Sequence, residues 1–561
     1  MEDNYTLFLV YKNAAGVTET GGFDGTESYS TEFSQTDNSI KLKLIPNEKI
    51  ELISLRLVRD FDYGENAAYF SNGYQSWTTS REYKKDDKLK GNCALIKYFP
   101  VKSAKELAFA SGDYFFNKYP ARKGEFRSYT YTYIRNGENY RLFGSLSEAE
   151  AFTFFESDIN GGKLTICKDV EGAVYDSPVT LCDIVFYGGS EDFVFDSYFD
   201  LMLKDKPRRA ERLTGYTSWY NYFQKITEEI ILRDLEGLAR VKNGANIFQI
   251  DDGYEPFVGD WLDPCDKFPR GMKPIADAIH EKGYLAGIWL APFSAQKTSR
   301  VAKEHPDWLV KGKNGKPVTN SVAWGGAYSL NLDIPEVVEY IRKVFHDVFQ
   351  VWGFDMVKLD FLYGACMFPR GGKSRGKLIT EAYRLLRECA GEKLILGCGA
   401  PLGPAFVYFD ACRISCDVDV QYKPRFYNKI LVAREIICTQ NAMNNGVFRR
   451  QLDGRAFLND PDVFFLRDVK RQIPGDKNKP LSYTEEQKKT LAKINSLAGS
   501  VLFVSDDIGQ YSEETLAKLK SIYDSKNDKI ISAGYEGDVL NIVYTESGER
   551  KTLSVKNLCL S

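Results

Sequence analysis

Histidine is nearly missing from this chain. His280, His305 and His346 are the three in 561 residues, and none sits at metal-ligand spacing, so a zinc centre is not expected. The eleven cysteines are odd in number and contain no CxxC pair, which argues against a disulfide framework and for free thiols in a reducing compartment. Charge excess is lacking too: the net charge is −3, with a pI near 6.0, and nothing here attracts nucleic acid. No apolar run approaches the roughly eighteen residues of a membrane helix. Met1-Glu-Asp-Asn lacks the basic start of a signal peptide. Gly397-Cys-Gly-Ala-Pro-Leu-Gly403 is the one glycine-rich candidate for a phosphate loop, and its spacing misses the dinucleotide fingerprint. A cytoplasmic protein without metal, cofactor, nucleic-acid or membrane partner is the expectation.

Aromatics are abundant, with 34 Tyr, 36 Phe and 7 Trp. Residues 1–205 read as an N-terminal antiparallel β-sandwich with little helix. Ile40–Leu44 alternates, Tyr129, Tyr131 and Tyr133 alternate into Asn136-Gly137, and Phe152–Phe154 with Leu164–Ile166 flank Asn160-Gly-Gly162. A polar linker, Lys204–Arg209, follows.

Residues 206–526 alternate apolar runs with helical patterns. The runs are 214–220, 246–254, 285–293, 354–362, 393–399, 410–418, a weaker one at 456–459, and 500–507. Val337, Ile341, Val344 and Phe345 repeat at helical spacing, as do Leu378, Ala382 and Leu386, and Ile231, Leu235 and Leu238. Eight strands interleaved with helices predict a (β/α)₈ TIM barrel, the whole chain being multidomain. Residues 527–561, where Leu540, Ile542 and Tyr544 alternate, predict a short C-terminal β domain.

The run Phe354–Tyr363 carries Lys358 and Asp360 near its end, two apart and so on one face. Charges inside a buried strand need a reason. The other predicted strands also end in chemistry: Trp219-Tyr220, Asp251-Asp252, Trp289, Cys398, and Arg413 with Asp417. One such residue is readily a helix cap or packing, and Cys398 is nearly as well read as a buried thiol. Carboxylates at three strand ends with tryptophans at two others point instead to a sugar pocket, where indole faces stack on C–H faces and carboxylates accept hydroxyls. Cleaving a glycosidic bond needs two carboxyl groups, and Asp360 with Asp417 form the natural pair, although spacing alone admits Asp419.

At these positions the sequence resembles glycoside hydrolase family 36, the melibiase-type α-galactosidases. The likeness rests on GYTSWYNYF (215–223), FQIDDGYE (248–255), GDWL (259–262), GIWLAPFS (287–294), EHPDWLVK (304–311), VKLDFLYG (357–364), LGCGAPLGPA (396–405), RISCDV (413–418) and FLNDPD (457–462). NGYQSWT (72–78) is similar to the family's sandwich loop, which brings a tryptophan, here Trp77, to the pocket. The resemblance implies Asp360 as nucleophile and Asp417 as general acid/base of a retaining, exo-acting hydrolase of melibiose- or raffinose-type α-galactoside oligosaccharides. It implies Asp251 and Asp252 as ligands of the 4- and 6-hydroxyls, with Lys358, Trp289, Cys398, Arg413, Trp219 and Tyr220 around the same sugar. Where the family often has Ile-Gly-Pro-Asp-Thr, this chain has Ile414-Ser-Cys-Asp-Val418. An α-N-acetylgalactosaminidase, a raffinose-synthase-like transglycosylase and a non-catalytic sugar-binding protein are the alternatives. Asn459, Asp460, His305 and Trp308 read as structural.

Overall fold

The computed structural model describes residues 5–89, 91, 111–114, 116–119, 121–204, 210–241, 243–424, 434–473, 479–525 and 528–556. The linker expected at Lys204–Arg209 lies outside them from residue 205 on.

The N-terminal part is two seven-stranded antiparallel sheets. Period-two patterning sets their faces: strand Ser39–Pro46 buries Ile40, Leu42 and Leu44 and turns Lys41 outward. The expected hairpins form. Tyr131–Asn136 pairs with Asn139–Ser145, Asn136 opposite Asn139, around Gly137 at φ +64°. Thr153–Asp158 pairs with Lys163–Lys168. Tyr129 is not in the first hairpin. Thr130, at φ +67°, breaks the run, so Tyr129 ends strand Glu125–Tyr129 of the other sheet.

Among the described residues, one helix interrupts the β-sandwich expected of the N-terminal stretch. Glu191–Met202 is a helix, N-capped by Ser190, whose Oγ accepts from Phe193 N. It buries Val194, Phe195, Tyr198 and Phe199. Tyr198 OH donates to Ser145 O of the sheet at 2.8 Å, and the Phe199 ring lies 5.3 Å from Phe406 of the barrel. Its dense aromatics mask the helical period, yet they make it the packing layer between sandwich and barrel.

The centre is a nearly closed barrel of eight parallel strands: Leu213–Thr217, Ile247–Ile250, Leu285–Leu290, Met356–Leu359, Leu394–Gly397, Ala411–Arg413, Leu458–Asp460 and Val501–Val504. Each of the eight expected runs overlaps one, the first strand starting one residue early at Leu213 and the seventh ending one late at Asp460. The seam lies between the seventh strand and the eighth, where Asn459 Nδ2 reaches Ala498 O at 3.0 Å and Phe464 bridges Val504. Helix Pro335–His346 begins with proline, which needs no N–H donor there, and buries Val337, Ile341, Val344 and Phe345. It runs on into a π-turn, Asp347–Val351.

After the third strand a small antiparallel sheet (Ser294–Gln296, Thr319–Ser321, Ala327–Ser329) is inserted over the barrel mouth. A three-stranded antiparallel sheet (Ile530–Glu536, Val539–Glu546, Glu549–Lys556) closes the chain. Its Tyr535 stacks on Phe448 at 6.0 Å and lies under Arg81 of the sandwich. No helix among the described residues is long and apolar enough to cross a membrane.

Candidate active site

A cavity of about 320 Å³ opens at the C-terminal ends of the barrel strands, and Trp77, Trp219, Asp251, Asp252, Trp289, Lys358, Asp360 and Asp417 all line it. In a parallel barrel every strand delivers its last side chains to this rim. Residues far apart in sequence therefore meet there. Tyr220, Cys398 and Arg413 stand behind the wall.

Asp360 is buried. Its Oδ2 accepts from Trp289 Nε1 at 3.2 Å and its Oδ1 from Phe361 N at 2.8 Å. Phe361 holds a left-handed φ of +54°, an uncommon state for a bulky residue and one that concentrates at functional sites. Burial pushes the Asp360 carboxyl above its ordinary range, Lys358 pulls it down, and the charge of Asp417 adds to the rise.

Lys358 Nζ reaches Asp251 Oδ2 at 2.7 Å. Burial opposes its charge, but Asp251 foremost, with Cys398 and Asp360, holds it raised. The same Asp251 oxygen accepts from Gln249 Nε2 at 2.8 Å, and Asp251 N donates to Ser218 Oγ at 2.9 Å. Asp252 accepts from Gln224 Nε2 at 2.9 Å and from Trp324 Nε1 at 2.8 Å. Buried Glu255 lies against it. Burial first, then the charge of Asp252, raises the Glu255 carboxyl well above its ordinary range, and burial raises that of Asp252.

Asp417 is the most open of the carboxylates, its side chain 37% exposed. Arg413 Nη2 lies 3.0 Å from Asp417 Oδ1 and 3.0 Å from Asp462 Oδ2, tying the two acids together from behind. Asp462 also accepts from Tyr220 OH at 2.5 Å and Val418 N at 2.7 Å. Burial lifts its carboxyl to about 6, with Asp417 contributing and Arg413 opposing. Asp419 is off the cavity wall, at φ +53°, with its Oδ1 accepting from Val420 N.

Trp77 comes from the sandwich. Its Nε1 points at Cys398 Sγ, 3.4 Å away, and its ring packs edge-on to Phe361 and Tyr363. Gly399 makes room for it, since a Cβ there would stand 3.2 Å from the Trp77 ring. The loop bearing Trp77 is gripped from the barrel by buried Arg449, which donates to Asn72 Oδ1 (3.0 Å), Gln75 O (3.1 Å), Ser76 O (2.6 Å) and Ile414 O (2.8 Å).

The sequence reading did not find Trp324, Asp462, Glu435 or Arg449. Trp324 sits in the turn Ala323–Gly325 that joins two strands of the inserted sheet, outside any barrel strand. Asp462 ends the FLNDPD motif, so the motif was a signal that could have found it. Asn459 and Asp460 are buried and bond backbone groups, and His305 stacks on Trp308 at 4.0 Å. No group of three or more His, Cys, Asp or Glu set to hold a metal occurs among the described residues.

Comparison with known proteins bears on the same barrel. Residues 202–377 match the Melibiase family model. An α-galactosidase of Escherichia coli is 27% identical over 188 residues, covering 32% of this chain and 26% of that protein. The α-galactosidase Mel36A of Lactobacillus acidophilus is 31% identical over 126 residues, 21% of this chain and 17% of its own. An A type blood α-D-galactosamine galactosaminidase of Flavonifractor plautii is 27% identical over 199 residues, 31% of this chain and 18% of its own. These matches thus span about a quarter or less of the relatives' lengths. Among solved structures, TtGalA, an α-galactosidase from Thermus thermophilus in complex with p-nitrophenyl α-D-galactopyranoside, superposes with a TM-score of 0.69 at 23% identity, over 97% of this chain and 98% of that one. The α-galactosidase AgaA of Geobacillus stearothermophilus gives 0.60 at 12%, over 96% and 79%. This chain shares the fold of these two enzymes over 97% and 96% of its length.

Proposed function

We propose that this chain is a retaining α-galactosidase that removes terminal α-galactosyl residues from small oligosaccharides of the melibiose and raffinose type. The observation that carries the reading is the pair Asp360 and Asp417 on one cavity wall, with a third and fourth carboxylate, Asp251 and Asp252, lining the same space. Two acids suffice for glycoside cleavage, and the other two suit sugar hydroxyls.

In this mechanism Asp360 attacks the anomeric carbon while Asp417 protonates the departing oxygen. The glycosyl–aspartate bond that forms is of β configuration. Asp417, now a base, takes a proton from water, which breaks that bond and releases α-galactose. Trp289 Nε1 holds the nucleophile's second oxygen in place, and Arg413 keeps Asp417 aimed. Buried Asp251 and Asp252 hold the axial 4-hydroxyl and the 6-hydroxyl, so α-glucosides leave a buried acceptor unpaired and are rejected by up to about 10⁴-fold. A cytoplasmic location fits the nine described cysteines, among which no disulfide forms.

Proton NMR of the first product from p-nitrophenyl α-galactoside tests the reading: α-galactose is expected, and β-galactose means inversion. Parallel assays with aryl α-N-acetylgalactosaminide and α-glucoside separate the specificities. Transfer to an added sugar in place of water identifies a transglycosylase. Tight galactose binding without turnover identifies a binding protein.

A further inference from the structure

The floor of the cavity is accounted for by the groups that hold the galactosyl ring. Its outer wall is not. The acid must reach the glycosidic oxygen, so the leaving group departs past Asp417. Asp417 opens the segment that runs from the sixth strand to helix Thr439–Phe448, and later in that segment Glu435 and Ile437 return to line the cavity. Ser111 and Trp77 of the sandwich line it as well, beside Val322, Ala323 and Phe361. Apart from the acid Asp417 itself, Glu435 is the acidic group among these lining residues, which are otherwise neutral and largely apolar.

Glu435 is 7% exposed and fixed on both sides: Oε1 accepts from Thr78 Oγ1 at 2.8 Å and Oε2 from Tyr114 OH at 2.6 Å. Its neighbour Arg434 is paired with Asp113 instead. Among the described residues each Glu435 oxygen accepts one side-chain hydrogen bond, which leaves each a second acceptor site, and a desolvated carboxylate is stable only where donors fill such sites. Adjacent hydroxyls of a sugar do so in bidentate fashion. A flat aryl group offers no donor, and an anionic group is repelled.

Resting on the α-galactosidase reading, we propose that Glu435 is the specificity residue of a leaving-group subsite, shared by sandwich and barrel, that selects neutral saccharides with adjacent hydroxyls. The test is kcat/KM on raffinose and on p-nitrophenyl α-galactoside for the wild type, Glu435→Gln and Glu435→Leu. With Leu, raffinose is expected to lose about 10–100-fold, the scale of one hydrogen bond to a charged group, mostly through KM. The aryl substrate should lose at least ten-fold less. Gln, which keeps one acceptor, should recover most of the raffinose activity. Equal losses on the two substrates, or none on raffinose, overturn the inference alone. A wild type that cleaves neither substrate defeats the α-galactosidase reading and this inference with it. Should Glu435→Leu fail to fold, the wild type still decides: KM for a phosphorylated leaving-group sugar is expected at least ten-fold above that for its neutral counterpart, and equal values overturn the proposal.

Discussion

Lys358 forms its ion pair with Asp251, 2.7 Å away just past the end of the second strand, and not with Asp360, two residues along just past the end of its own. The contact crosses the end of the third strand. One buried cation therefore serves two carboxylates, Asp251 by contact and Asp360 through its field.

That arrangement gives opposite pH shifts for two substitutions. Asp360 must be ionised to attack, so its pKa sets the acid limb of kcat/KM. Lys358→Met removes the charge that pulls Asp360 down, and the limb should move to higher pH. Asp251→Asn leaves the ammonium free for Asp360, and the limb should move to lower pH. Both variants should lose on the order of 10²–10³-fold in rate, as when an active-site electrostatic contact is removed. Shifts in the same direction would refute the shared-cation account.

The strand ends were legible because the barrel imposes a rule: a charge near the end of an apolar run faces the mouth. That rule located Asp251, Asp252, Lys358, Asp360 and Asp417. It could not say which carboxylate Lys358 contacts, because the contact depends on stagger between strands rather than on spacing within one. Trp324 and Glu435 come from segments with no period to read. Helix Glu191–Met202 was hidden because Phe193, Val194, Phe195, Tyr198 and Phe199 blur three-to-four spacing into a run that also suits a strand.

Away from the cavity, Asp234 makes stability depend on pH. Its Oδ2 accepts from Tyr216 OH and Tyr222 OH, each at 2.7 Å. Burial, followed by the charge of Asp507, raises it from an ordinary 3.8 to about 7. The folded state then binds a proton that the unfolded chain releases, so this contribution is full below about 3.8 and is lost as pH rises to about 7. Wild-type Tm should fall across that window more steeply than that of Asp234→Asn. Parallel Tm curves for the two proteins would show that Asp234 does not titrate there.

Trp77 and Arg449 should separate binding from architecture. The Trp77 ring faces the cavity, and Trp77→Ala is expected to raise KM with little change in Tm. Arg449 supplies four hydrogen bonds to buried acceptors on two domains, and each acceptor left unsatisfied costs about 1–3 kcal/mol. Arg449→Lys cannot rebuild that fork, so both Tm and KM should worsen. Normal KM in Arg449→Lys would mean the Trp77 loop holds its place unaided.

The division of labour between Asp360 and Asp417 is tested by the products each variant forms with azide. Asp360→Ala has no covalent route, and turnover of every substrate should vanish. Asp417→Ala still reaches the intermediate with a nitrophenyl leaving group, whose anion is stable, and then stalls for lack of a base. General acid catalysis contributes ~10²–10⁴-fold, so the Asp417→Ala penalty should be far larger on melibiose than on the aryl substrate. Azide needs no base. In Asp360→Ala it enters the space left by the carboxylate and attacks the substrate directly, giving the β-azide. In Asp417→Ala it attacks the β-linked intermediate from the opposite face, giving the α-azide. Reversed stereochemistry would exchange the two roles. Equal penalties on both substrates without rescue would remove Asp417 as the acid. Asp419, off the cavity wall with its carboxylate turned to its own backbone, would then have to move to replace it.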